Sequence, residues 1–158
     1  MEIIDKITGI IFGLFGSIIA SFGVALMASF LTDDPLTIVF AGLIVAIASS
    51  IANAFGPLTC SSNIVNDKAY SKEDVEQSCG SLFLTFFIVV LPLIPYLLVS
   101  ELELARMISI MTGLILLFIF GAQHAQLRQY SPLLYGFMMV AIGIICAYLC
   151  VYVSHFFI

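Results

Sequence analysis

The residues able to do chemistry are few, and several of them crowd one stretch of chain. Asn53 puts a side-chain amide inside an apolar run, and Thr59 and Cys60 follow it. Pro57 stands four residues after Asn53. Proline has no N–H, so within a helix it frees the carbonyl four residues earlier, here that of Asn53. An amide, a bare carbonyl, a hydroxyl and a thiol within two helical turns are all metal-ligating groups. Oxygen donors suit hard ions such as Mg²⁺, Ca²⁺ or Mn²⁺, and sulfur suits softer ones. A second group lies further on. Ser71-Lys72-Glu73-Asp74 has the Ser-x-x-Asp pattern that starts a helix. Glu73 and Glu76 then share a face at i and i+3, where two carboxylates can gather a divalent ion.

The elements that must hold these residues are membrane helices. The chain has 158 residues, of which 62% are apolar and 9% charged. Mean hydropathy is +1.19. A soluble domain carries about 25% charged residues, so this chain has too few to cover a water-facing surface. With 5 Lys and Arg residues and no basic run, it has no footprint for nucleic acid. Long charge-free stretches run over Ile7 to Leu31, Leu36 to Leu58, Leu82 to Val99, about Met107 to Gln123, and Pro132 to Ser154. Each approaches or exceeds the roughly 18 residues that mark a spanning helix. No sustained period-two alternation supports a β-barrel. The expected fold is therefore all-α: a single transmembrane domain over residues 1–158, five spans in a helical bundle, and one short cytoplasmic loop at about 61–81. The opening Met1-Glu2-Ile3-Ile4-Asp5-Lys6 lacks the positive start of a signal peptide, and the run after it is too long for one. It reads as a retained first helix.

Across five spans, Lys6, Lys68, Lys72 and Arg128 fall on the side of the N-terminus and Arg106 on the other. The positive-inside rule then predicts a cytoplasmic N-terminus. His124 and Arg128, one turn apart, read as interfacial anchors, and His155 as a residue near the outer surface. Cys146 and Cys150 lie one turn apart in the fifth span. They read as small apolar residues, as does Cys79. Small residues recur every four positions as Gly9, Gly13, Ser17, Ser21 and Ala25 in the first span, and as Ala48, Ala52 and Gly56 in the second. Such ridges let helices approach closely in lipid, within one chain or across a dimer. Pro92 and Pro95 free the carbonyls of Ile88 and Leu91 in the third span. Freed carbonyls at membrane depth must be buried in protein or face water, and such breaks line the ion path of many transporters.

A resemblance joins these features. Ala41-Gly42-Leu43, Ala48 to Ala52, Phe55-Gly56 and Ser61-Ser62 resemble the second helix of the vacuolar iron transporter family. Val90-Leu91-Pro92-Leu93-Ile94-Pro95-Tyr96-Leu97-Leu98 is similar to its double-proline third helix. Leu117 to Gly121, Leu127, Ser131-Pro132 and Leu133 resemble the join of its fourth and fifth helices, and Gly143 and Tyr148 fit its last helix. The resemblance covers nearly the whole chain in order. It implies a homodimer that exports divalent iron or manganese from the cytoplasm in exchange for protons, along a path lined by helices one and two.

The departures are as informative as the match. The family's Asp-Gly step in helix one is Thr8-Gly9 here, with Asp5 one turn earlier. Its helix-two Met is Asn53, and its Gly-Glu step is Gly56-Pro57. Its long glutamate-rich domain is replaced by the short loop. Losing the Met shifts the expectation away from iron and toward harder ions. The candidate metal residues are thus Asp5, Thr8, Asn53, Thr59, Cys60, Glu73 and Glu76. The expected partners are the lipid bilayer, a second copy of the chain and a divalent ion as substrate. No tightly bound cofactor is expected, and no His-Glu-x-x-His, nucleophile elbow or phosphate loop points to an enzyme. The expected location is the plasma membrane of a prokaryote. The alternative is a membrane scaffold or regulator that keeps the fold without the transport site. A weaker third reading is a carrier of lipid or another small molecule. A wet polar cavity around Asn53 would favour transport, and apolar filling would favour the scaffold.

Overall fold

The computed structural model describes residues 2–59 and 72–154, and the side chains of residues 2–8, Pro57 and Thr59 lie outside that description. Helix α1 is Glu2–Leu31 and α2 is Pro35–Thr59. Helix α3 is Lys72–Val90, which passes through a 3-10 turn, Leu91–Leu93, into the short α4, Ile94–Leu98. Helix α5 is Leu102–Leu127 and α6 is Pro132–Ser154. No strand occurs among the described residues. Five segments are long and apolar enough to cross a membrane, with α3, the turn and α4 forming one of them.

Helix α1 is the centre of the bundle. It packs against α2, α3, α5 and α6, and 56% of its apolar window is buried against 17% for α6. Two apolar clusters lie along it. Ile11, Leu14, Phe15 and Ile18 meet Ala46, Ile88, Val89, Leu117 and Met139 in one. Ala25 meets Ile38, Val39, Leu93, Tyr96 and Ala105 in the other. The end of the bundle where α1 begins is called the near end here, and the opposite one the far end.

The tight far-end connection between α1 and α2 is set by Asp34. Its carboxylate accepts the N–H groups of Leu36 at 3.2 Å and Thr37 at 3.1 Å, and the Thr37 hydroxyl at 2.6 Å. Pro35 follows at the first helical position, where its missing N–H costs nothing. The Thr37 hydroxyl, helped by the backbone N–H groups, holds the Asp34 carboxyl below the usual carboxylate range. A depressed folded value means that this cap stabilises above the unfolded value and is lost as pH falls through the folded one. Asp34→Asn keeps the cap without the titration. Thermal unfolding in micelles should show the natural chain losing stability relative to Asp34→Asn as the pH drops below about 4.

Two of the carbonyls freed by proline, those of Leu91 and Asn53, accept other donors, and the carbonyl of Pro92 itself is bonded from α5. The Leu91 carbonyl, freed by Pro95, accepts the Ile94 N–H within the 3-10 turn. The Ser109 hydroxyl of α5 donates to the Pro92 carbonyl at 2.6 Å. The Asn53 carbonyl, freed by Pro57, accepts the Ser81 hydroxyl of α3 at 3.3 Å.

Three sequence expectations are corrected. The loop expected at 61–81 is helical from Lys72 onward, and the short helix predicted at Ser71 is the first turn of the third span itself. Span four is longer than Met107 to Gln123, because Glu103, Arg106 and His124 all lie within α5. His124 is not an interfacial anchor: it is 7% exposed. Its ring lies between Phe15 of α1, edge-on at 6.2 Å, and Tyr135 of α6, stacked at 5.4 Å. Because the helix runs on to Leu127, position 124 continues the buried face of Gly113, Leu117 and Gly121. Cys60 and His155 lie outside the described residues.

Candidate functional site

Three helices meet at Asn53. Its side-chain amide donates to the Ser17 hydroxyl of α1 at 2.8 Å, and more distantly to the Thr85 hydroxyl of α3 at 3.5 Å. Ser17 in turn donates to the Gly13 carbonyl at 2.8 Å. The amide oxygen of Asn53 lies against α1 at Gly13, where a Cβ would stand 2.4 Å from it. The absence of a side chain at Gly13 makes room for the Asn53 amide against α1. Toward the far end, Ser21 of α1 donates to the Gly42 carbonyl of α2 at 3.1 Å, a second polar tie across the same seam.

The two ridges of small residues therefore have different uses. On α1, Ser17, Ser21 and Ala25 are buried, and with Gly13 they face the inside of the chain. On α2, Ala48, Ala52 and Gly56 are exposed. Gly9, Gly16 and Ala20 of α1 are exposed as well. A Cβ on Gly9, Gly16 or Gly56 would meet nothing within 4 Å. The same spacing serves packing within the chain on α1 and leaves an open, small-residue face on α2.

Helix α3 supplies the third wall. Asp74, Ser78, Ser81 and Thr85 are all buried, and their 4-3-4 spacing puts them on one helical face. Asp74 is 2% exposed, whereas Glu73 and Glu76 are exposed. Glu76 pairs along the helix with Lys72 at 3.9 Å. The sequence reading thus named the two outward carboxylates and missed the inward one. The spacing of Asp74 to the buried hydroxyls was the signal that pointed to it.

The remaining candidates do not converge on Asn53 within the described residues. Asp5 and Thr8 sit on α1 and Thr59 ends α2, but their side chains lie outside the description. Among the described residues, no three of His, Cys, Asp and Glu come together. What meets at Asn53 is a set of neutral oxygens: the amide, the hydroxyls of Ser17, Ser81 and Thr85, and the Gly13 carbonyl. Neutral oxygens can replace the water shell of a hard cation. Among the described residues, the Asn53–Ser17 and Ser21–Gly42 hydrogen bonds cross the seam between α1 and α2 beside its apolar contacts.

A family model described as the VIT family matches residues 59–155. That segment begins at the end of α2 and takes in every helix from α3 to α6. No curated protein and no solved structure matches the chain. The match leaves out α1 and nearly all of α2, the two helices that carry the departures at Thr8, Asn53 and Pro57.

Proposed function

The chain belongs to the VIT family, the vacuolar iron transporters, and on that premise we propose that it carries a divalent metal cation across the membrane as a homodimer. The family is one of membrane metal transporters, and the five apolar spans agree with an integral membrane protein. The observation that carries the dimer is the exposed small-residue face. Gly9, Gly16, Ala48, Ala52 and Gly56 present nearly bare backbone at membrane depth. In lipid, such faces gain by packing on another helix. A second copy of the chain supplies one, with α1 and α2 lining the join.

In this reading the cargo is of the iron or manganese class, with the harder manganese favoured because Asn53 offers oxygen and no thioether. The four-to-one Lys and Arg bias supports a cytoplasmic N-terminus, and transport then runs outward from the near end. The membrane is the plasma membrane of a prokaryote. Proton exchange, which the resemblance implies, falls to Asp5 at the mouth of α1. Thr59 at the near end of α2 and Cys60, the next residue in the sequence, with Glu73 and Glu76 on α3, would collect the ion before it enters. A specific observation favours a second reading, a scaffold that kept the fold: the described groups that meet at Asn53 are neutral and hydrogen-bond to one another.

Two measurements test the proposal. Manganese binding to the purified protein should weaken about tenfold, or ~1.4 kcal/mol, in Asn53→Ala and in Asp5→Ala. Unchanged affinity in both variants would remove the site from α1 and α2. Ala52→Cys in a chain without its native cysteines should form a disulfide-linked dimer on oxidation in membranes. Monomer alone would contradict the dimer face.

A further inference from the structure

His124 is buried toward the near end of the bundle, where three helices meet. Its ring stacks on Tyr135 of α6 at 5.4 Å and meets Phe15 of α1 edge-on at 6.2 Å. Its Nδ1 is buried and has no hydrogen-bond partner. A buried polar atom without a partner calls for an explanation, and an ionisable side chain inside a membrane bundle points to function. In the Nε2–H tautomer, Nδ1 holds a lone pair that can take a proton. The face of the Tyr135 ring then offsets part of the charge. The charged and titratable groups around it are few. Arg128 lies one turn on along α5. Tyr135 faces the ring from α6, with Tyr130 stacked beyond it at 6.4 Å. On α1 the facing residue is Phe15, and Glu2, Asp5 and Lys6 lie more than two turns toward the near end. Asp74 of α3 is a second buried ionisable side chain at this end.

Helix α1 joins His124 to Asn53. Phe15, which meets His124, and Ser17, which bonds to Asn53 at 2.8 Å, are both buried. They are two positions apart, so they point to opposite sides of the helix. His124 and Asn53 thus stand back to back across α1 at one depth. We propose that His124 is a proton-binding site linked across α1 to cation binding at Asn53, so that a proton on one opposes a cation on the other. This rests on the reading of Asn53 as part of the cation site. The oxygens that meet there are neutral and leave the charge of a divalent ion uncancelled. A charge on the imidazole, roughly one helix diameter of about 10–12 Å away, repels that ion. At an effective dielectric of about 20, the repulsion weakens binding by about tenfold or more.

The test uses the full chain in micelles, free of any histidine tag. Mn²⁺ affinity, read by calorimetry, should fall about tenfold or more between about pH 8 and about pH 5.5. His124→Gln and His124→Phe, which cannot take the proton, should hold the higher affinity through that range. Carboxylates ordinarily titrate near pH 4, at about 3.9 for Asp, so Asp74→Asn should keep the pH dependence of the natural chain. In a second measurement, His155→Gln leaves His124 as the one imidazole of the chain. Its NMR signal should titrate between about pH 5 and 8. Circular dichroism checks that each variant stays folded. A ring that stays neutral down to about pH 5, an unchanged pH dependence in a folded His124 variant, or its loss in Asp74→Asn alone would each overturn the proposal and leave the cation site standing. Absence of Mn²⁺ binding by the natural chain at every pH would remove the cation site, and the linkage with it.

Discussion

Gly13→Val should destabilise the folded chain by about 3 kcal/mol. Even the first added carbon would stand 2.4 Å from the Asn53 amide oxygen and 2.9 Å from its Cγ. The Asn53 side chain must then leave, and its bond to Ser17 at 2.8 Å goes with it. Overpacking a tight contact costs about 1–3 kcal/mol, and a part-buried amide that loses its partner costs about 1 kcal/mol more. Gly16→Val is the control. Gly16 is exposed on the same helix, and its Cβ would meet nothing within 4 Å. Within one chain it should change stability by less than about 0.5 kcal/mol. In the proposed dimer it should weaken association instead. Unfolding in micelles at a dilution that separates the copies, followed by a cross-linking assay in membranes, reads the two effects apart. Equal destabilisation by both variants would remove the special role of the Asn53 junction.

The second large effect belongs to Arg106. Its guanidinium binds the Ser29 carbonyl at 2.5 Å and the Ser29 hydroxyl at 3.0 Å, lies 4.1 Å over the Phe30 ring, and reaches Glu103 at 2.7 Å. Ser29 lies in the last turn of α1, whose final carbonyls have no partner within the helix and carry partial negative charge. Arg106 thus caps α1 from α5 and ties the far end of the bundle together. The Arg106 side chain is 12% exposed and that of Glu103 75%, so the parts are unequal. The Glu103 pair is solvated and worth under about 1 kcal/mol. The charged bonds to Ser29 contribute about 1.5–3 kcal/mol and the ring contact roughly 1 kcal/mol more. Arg106→Ala should therefore cost about 3 kcal/mol and Glu103→Ala much less. Arg106→Lys should recover only part, because a point charge cannot make the forked contact and lie flat on the ring together. If Glu103→Ala cost as much as Arg106→Ala, the pair and not the cap would be holding the far end.

The sequence showed the number of spans, because a charge-free run at hydrocarbon depth is dictated by the cost of charge in lipid. It misjudged their ends for the same reason. A search for charge-free runs finds the part of a helix inside the hydrocarbon, whereas α3 continues back to Lys72 and α5 extends from Leu102 to Leu127. The freed carbonyl of Asn53 was legible, since Pro57 has no N–H to give it. That Ser81 would satisfy it was not, because that depends on how α3 is turned. Rotation also decided the carboxylates. The 4-3-4 spacing with Ser78, Ser81 and Thr85 sets Asp74 apart from Glu73 and Glu76, but only packing shows that this face turns inward. The ridges of α1 and α2 show the same limit: one spacing, with one ridge turned into the chain and the other turned out.

The matched segment holds the double-proline span and the α5–α6 pair. The helices expected to line the path lie outside it, and the resemblance sets Thr8, Asn53 and Pro57 where a carboxylate or thioether would be expected. A carrier built this way would bind its ion by replacing hydration, with less charge neutralisation than a carboxylate site provides. That favours weak, rapidly exchanging binding.

Flux of Mn²⁺, Fe²⁺ and Mg²⁺ into liposomes holding the purified protein, with a pH dye inside, tests the central claim most directly. The account predicts saturable manganese uptake, with a proton signal in the opposite direction that is lost in Asp5→Ala, and uptake that is abolished in a folded Asn53→Ala variant. A folded, dimeric protein that moves none of the three ions would contradict it, and would leave a membrane scaffold with the family's fold.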